Sequence, residues 1–131
     1  MQDKTLRTLA KALGLGTAAF GIVPFFWPRY FSRLSGLADP AEPTTEAAYR
    51  SVGARDLAIG LGLWSAAAHG GKYAPWVLAR LICDTLDTVA ALLAIRRGER
   101  DPRFLGLTGM AAGAAAFGAW LWSQARAKPT Q

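Results

Sequence analysis

At 131 residues, 52% hydrophobic and only 18% charged, the chain is one domain that carries more apolar mass than a soluble protein of its size. Its 15 Lys and Arg against 9 Asp and Glu give a net charge of +6, a surplus that in another setting suggests nucleic acid. The placement argues against that partner. Cations cluster at the edges of apolar runs, at Lys4, Arg7 and Lys11, at Arg29 and Arg33, at Arg96, Arg97, Arg100 and Arg103, and at Arg126 and Lys128. Cations so placed anchor helices at anionic headgroups.

A bilayer core of about 30 Å needs about 20 apolar residues per helix, and four runs approach that length. The first is Leu9 to Trp27, closed by Pro24 and Pro28. Read as a cleaved signal peptide it fails, because no small-x-small site stands near its apolar part. The next stretch, "RYFSRLSGL" (Arg29 to Leu37), reads as a short amphipathic helix lying in the interface, and "ADPAEPTTEAAY" after it as a solvated loop. The second run is Ser51 to Gly70, ended by Gly70-Gly71; His69 there reads as a helix cap or an interface residue. Ala74 to Ile95 is the third and Phe104 to Trp122 the fourth, with Pro75 and Pro102 where their helices start.

The expected fold is therefore all-α: a four-transmembrane-helix bundle with a short interfacial helix between helices one and two, the whole of 1–131 being a single integral membrane domain. Aromatic residues near the run ends, among them Trp27, Tyr30, Tyr73, Trp76 and Trp122, suit the interfaces. Cations divide evenly between the two sides, so orientation stays open. On helix four, Gly106, Gly109 and Gly113 form a small-residue stripe expected to serve helix packing, as does Thr17-xxx-Gly21 on helix one.

Charges inside the spans carry the chemistry. Arg80, Asp84 and Asp87 are spaced i, i+4, i+7 and share one face of helix three; on helix two Gly53, Asp56 and Gly60 share a stripe with Arg55 beside it. Each such charge costs about 2.5 to 3.5 kcal/mol at mid-span, so pairing is expected. Arg80 can reach Asp84 in its own helix, and Arg55 and Arg80 can reach Asp87 or Asp84 and Asp56 across the helices. Three carboxylates against two guanidiniums leave one to be protonated, or balanced by a cation or a ligand donor. A lock fixing the two helices should be closely packed with no ligand-sized void, the arrangement expected here, whereas a site needs a pocket of about 300 Å³ or more. The lone Cys83 reads as a packing residue, and one histidine with no cysteine partner makes a metal improbable. No nucleophile triad, phosphate loop or cofactor fingerprint is present.

With Gly53-x-Arg55-Asp56 opening helix two and Arg80-x-x-x-Asp84-x-x-Asp87 on helix three, the chain resembles an uncharacterised family of small four-helix membrane proteins of bacteria and fungi. It is similar too to the N-terminal membrane module of some bacterial proteins whose soluble part is a polyketide cyclase/dehydrase-like lipid-binding domain. The likeness covers roughly residues 5–123, and Cys83 stands where many members have glycine. It implies a fold and a membrane address, the bacterial inner (plasma) membrane, without a reaction or cofactor. The expected function is that of an anchor or accessory subunit organised by the Arg/Asp cluster, its partners the lipid bilayer and other membrane subunits or copies of itself. A membrane-embedded acid/base enzyme or a carrier acting on a lipidic substrate is the alternative, with Asp84 or Asp87 as acid and Arg55 or Arg80 steadying negative charge. A proton or cation carrier is a third class.

Overall fold

The computed structural model describes residues 3–127. Five helices follow one another: α1 (Asp3–Phe26), α2 (Pro28–Ser35), α3 (Pro43–Ala68), α4 (Ala74–Arg96) and α5 (Pro102–Arg126). No strand occurs among the described residues. Two boundaries differ from the sequence expectation. Pro24 lies inside α1 rather than ending it, and the turn at Trp27 passes almost directly into α2, with the Trp27 amide bonded to the Val23 carbonyl at 2.8 Å. α3 starts at Pro43, within the stretch expected to be a solvated loop. Its polar first turns carry no apolar period, but proline at the first helical position is pre-set for a helix start.

The helices form two antiparallel pairs, α1 with α3 and α4 with α5. Backbone meets backbone in the first pair. Gly14 on α1 faces Gly60 and Trp64 on α3, and Gly21 faces Gly53 and Leu57. A methyl group added at Gly53 would lie 2.6 Å from the Gly21 carbonyl oxygen and 2.6 Å from the Phe25 amide nitrogen, so only glycine permits the approach. Beyond it, the Arg50 guanidinium donates to the Phe25 carbonyl at 2.6 Å.

Gly106, Gly109 and Gly113 do not take the packing role expected of them within this chain. All three are exposed on the outer face of α5, and a Cβ at any of them would meet nothing within 4 Å. The opposite face of α5 is the packed one, with Phe104, Thr108, Gly118 and Leu121 buried. Small residues were read as contact points, but the packed stripe of α5 runs through Phe104, Thr108, Gly118 and Leu121 instead.

The two pairs join at one end through a core of Leu6, Ala10, Leu63, Ala67, Tyr73, Val77 and Leu121, drawn from α1, α3, α4 and α5. Arg7 closes this end, stacked over the Tyr73 ring at 5.2 Å and donating to the Gly71 carbonyl at 3.2 Å. At the other end α2 buries Phe31, Ser32 and Ser35. Phe31 meets Phe20 and Tyr49 edge-on. Asp101 caps α5 there, accepting from the Arg103 amide at 2.8 Å and pairing with its guanidinium at 2.7 Å, while Arg103 also donates to the Arg33 carbonyl at 2.7 Å and so ties α5 to α2.

Outside, the surface is apolar. Leu15 and Ile22 on α1, Ile82, Leu86, Val89 and Leu92 on α4, and Leu105, Met110, Phe117 and Trp120 on α5 all face outward. Among the described residues two helices, α1 and α5, are long and apolar enough to cross a membrane, and only 33% and 22% of their apolar stretches are buried inside the chain. That is the reverse of a soluble protein's core helix.

Two outcomes follow. Gly53→Ala should lower the unfolding free energy in detergent by about 1 to 3 kcal/mol by forcing α1 and α3 apart, whereas Gly109→Ala should change it by less than about 0.5 kcal/mol; thermal denaturation of the two variants checks this. The Arg103 side chain, and then its amide, hold the Asp101 carboxyl down at about 2 against an ordinary 3.8. A depressed carboxyl stabilises fully above its unfolded value, so its contribution is complete above about pH 4 and fades as pH falls through about 2. Asp101→Asn should therefore melt below the wild type at neutral pH, with the gap closing as the medium approaches pH 2.

Candidate functional site

All five charged residues singled out in the sequence meet between α3 and α4. Arg55 grips Asp87 with both arms of its guanidinium, Nη1 to Oδ1 at 3.1 Å and Nη2 to Oδ2 at 2.7 Å, and its Nε donates to Asp56 Oδ1 at 3.1 Å. Arg80 donates from Nη1 to the same Asp56 oxygen at 2.9 Å and from Nη2 to Asp84 Oδ1 one turn along its own helix. Asp56 thus sits at the centre, shared by two guanidiniums, and the chain of contacts runs Asp84, Arg80, Asp56, Arg55, Asp87.

Burial grades along that chain. The Asp84 and Asp56 side chains are 1% and 2% exposed and Arg80 12%, while Arg55 and Asp87 keep 30% and 42%. The inner end costs most to desolvate, and it is incompletely satisfied. Arg80 Nε and Asp84 Oδ2 are buried with no hydrogen-bond partner among the described residues. One is a donor and the other an acceptor, and they belong to the same ion pair.

Helices α3 and α4 do not pack face to face. Each makes its main contacts within its own pair; they meet through these long side chains and, toward the joined end, through Trp76 of α4 lying against Gly62 of α3. Between the pairs lies a cavity of about 650 Å³, with Arg55, Asp56, Arg80, Asp84 and Asp87 on one wall. This corrects the expectation of a closed network without a ligand-sized void. The cause lies in side-chain size. On α4 the face carrying Arg80, Asp84 and Asp87 continues into Ala91 and Ala94, and the inner face of α5 offers Ala111 and Ala114, so nothing bulky reaches across. Phe20, Phe31, Tyr49, Phe104 and Leu107 make up much of the remaining wall, with Thr17 and Thr108 as further polar groups.

Other candidates resolve simply. His69 is the C-terminal cap position of α3, its ring Nδ1 at 3.0 Å from the Ser65 carbonyl and its plane edge-on to Trp64. Cys83 is a half-buried thiol. Among the described residues no group of three His, Cys, Asp or Glu is arranged to hold a metal ion.

Sequence reasoning did not find Tyr49, Thr17, Thr108 or the alanines as cavity residues. A signal was present for the alanines: positions 80, 84, 87, 91 and 94 continue one helical stripe, and the change from charge to methyl along it marks where side chains stop filling space.

The chain is all-helical, with large apolar side chains exposed along α1, α4 and α5 and five charged residues of α3 and α4 on the wall of a half-open cavity, and these features define its class. The chain belongs to the family described as a domain of unknown function (DUF4267), whose model matches residues 14–123 and so takes in every residue of the charged cluster. No curated protein and no solved structure matches it.

Breaking the inner pair should cost more than breaking the outer one. Arg80→Leu leaves Asp56 and Asp84 short of a partner in a buried setting and should destabilise by about 3 to 5 kcal/mol, while adding Asp84→Leu to it should recover part of the loss. Arg55→Leu, acting on a pair that keeps 30% and 42% of its side-chain surface exposed, should cost less. Denaturant titration of the three variants in one detergent orders them.

Proposed function

We propose that this chain is a four-span integral membrane protein that receives a lipid-like ligand between its two helix pairs, with the Arg/Asp network both holding α3 to α4 and forming the polar wall of the binding cavity. The observation that carries the reading is the inverted distribution of polarity: large aliphatic and aromatic side chains cover the outside of α1, α4 and α5, and the charges of α3 and α4 pair inward beside the cavity. In water such an exterior would drive aggregation, whereas in a bilayer it costs nothing.

The length and composition of α1 and α5 support two of the spans directly. For α4 the obstacle is charge, since any 18-residue stretch of it includes Arg80, Asp84 and Asp87. That obstacle eases if Arg55 and Arg80 pair with the aspartates, the one excess carboxylate is protonated or otherwise balanced, and all are turned from lipid, as intramembrane ionisable groups must be. α3 follows by the same reasoning through Arg55 and Asp56. Four spans put both termini on one side of the membrane and α2, with its cations, at the opposite interface. A bacterial plasma membrane is the address we propose, on the strength of the family resemblance alone. An accessory-subunit role has its own observation in the outer face of α5, where Gly106, Gly109 and Gly113 lie exposed to a partner's membrane helix.

Carbonate and high-salt washing should leave the chain with the bilayer, and detergent should be needed to release it. Folded, monodisperse protein recovered from the soluble fraction without detergent would end the membrane reading. Reporter fusions at the two termini should give the same side; opposite sides would remove one span from the count.

A further inference from the structure

The cavity and the two unsatisfied atoms beside it narrow the ligand's chemistry. At roughly 30 Å³ per water-sized group, a space of about 650 Å³ holds on the order of twenty non-hydrogen atoms, the size of one lipid chain rather than of a whole phospholipid. Its walls are apolar over most of their extent, with rings and methyl groups from all five helices. Polar recognition is concentrated at the charged wall.

There the inner ion pair is one bond short on each partner. Arg80 Nε has a hydrogen to give and Asp84 Oδ2 a lone pair to receive one, and both are buried. A pure hydrocarbon leaves both unmet. An anionic head, carboxylate or phosphate, would face three carboxylates against two guanidiniums whose Nη groups are already engaged, and it offers Asp84 no proton. An ammonium head could donate to Asp84 but has nothing to accept from Arg80, and it would sit against a guanidinium. A hydroxyl both donates and accepts, so one such group answers both atoms at once. Both atoms are covered, so seating the hydroxyl requires the Asp84 carboxyl and the Arg80 guanidinium to turn toward the cavity they border, a motion that the broad terminal torsion of an aspartate and the long stem of an arginine permit.

We propose that the cavity is a site for a single-chain lipid alcohol, its hydroxyl seated between Asp84 and Arg80 and its chain lying along the alanine faces of α4 and α5 toward Phe20 and Phe104. This rests on the reading of the cavity as a ligand site in a membrane protein and adds the head group to it. Two-way hydrogen bonding is the selecting feature: a hydroxyl donates to Asp84 and accepts from Arg80 at once, and it adds no charge to a wall that already holds one carboxylate more than it has guanidiniums.

The test uses the full chain purified into phosphatidylcholine nanodiscs and four probes with one chain length: hexadecanol, palmitate, hexadecylamine and hexadecane, each radiolabelled and measured by equilibrium binding. Hexadecanol should bind saturably, one per chain, at least about tenfold more tightly than the other three. Asp84→Leu should remove that preference. Because that variant disturbs the bundle as well, Ala111→Phe serves as the second: it fills the cavity without touching the ion pairs and should abolish binding of hexadecanol while the protein keeps its melting behaviour. Equal binding of all four probes, lost in Ala111→Phe, would overturn the hydroxyl preference and leave the cavity as an unselective lipid site. Absence of saturable binding by any probe, or binding unchanged in Ala111→Phe, would overturn both the alcohol and the cavity as a ligand site.

Discussion

The fold hangs on one guanidinium. Arg80 lies almost buried between Asp56 of α3 and Asp84 of its own helix, and it is the more deeply buried of the two arginines that link the helix pairs away from the apolar core at their joined end. In water such a pair would be worth little and its desolvation would be costly. Inside an apolar shell the comparison changes, because a broken pair leaves charge with neither water nor partner. In the bilayer that we propose for this chain, the same arrangement specifies how far apart α3 and α4 stand.

That separation is the origin of the cavity. α1 and α3 touch through glycines at backbone distance, and α4 and α5 pack along their own pair; the two pairs meet closely where Trp76 of α4 lies on Gly62 of α3, but beside the cavity they are spaced by arginine side chains. Ala91, Ala94, Ala111 and Ala114 then line a gap they are too short to fill. Rigidity at the closed end, from Leu6, Leu63, Val77 and Leu121, and at the α2 end, from Arg103 and its contacts with Asp101 and the Arg33 carbonyl, keeps the walls from collapsing together.

Much of this was legible in the sequence because charge inside an apolar run has few outlets. The spacing of Arg80, Asp84 and Asp87 fixes their common helix face, and the reach of an arginine limits the partners to those the structure displays. The start of α3 at Pro43 was not legible, since polar first turns lack the apolar period that reveals a helix, although a proline at the first position was there to be read. The role of the glycines on α5 was misjudged for a physical reason, whereas Gly21 on α1 packs against α3 as expected. A small-residue stripe permits close approach without saying which neighbour approaches, and Gly53 and Gly60 on α3 found α1 while Gly109 on α5 meets no partner among the described residues. The cavity itself escaped because a sequence shows which side chains are present but not the space between them; only the run of methyls beyond Asp87 hinted at it.

The most direct test of the account is a distance in the bilayer. Magic-angle-spinning NMR of the reconstituted chain, with nitrogen label in arginine and carbon label in the aspartate carboxyls, measures the separation of the Arg80 guanidinium from Asp56 and Asp84. Both couplings should correspond to contact within about 4 Å and persist without exchange broadening, the signature of a fixed bridge between α3 and α4. An Arg80 guanidinium remote from Asp56, or mobile and open to water exchange, would contradict the claim that this side chain sets the spacing of the helices and the cavity beside it.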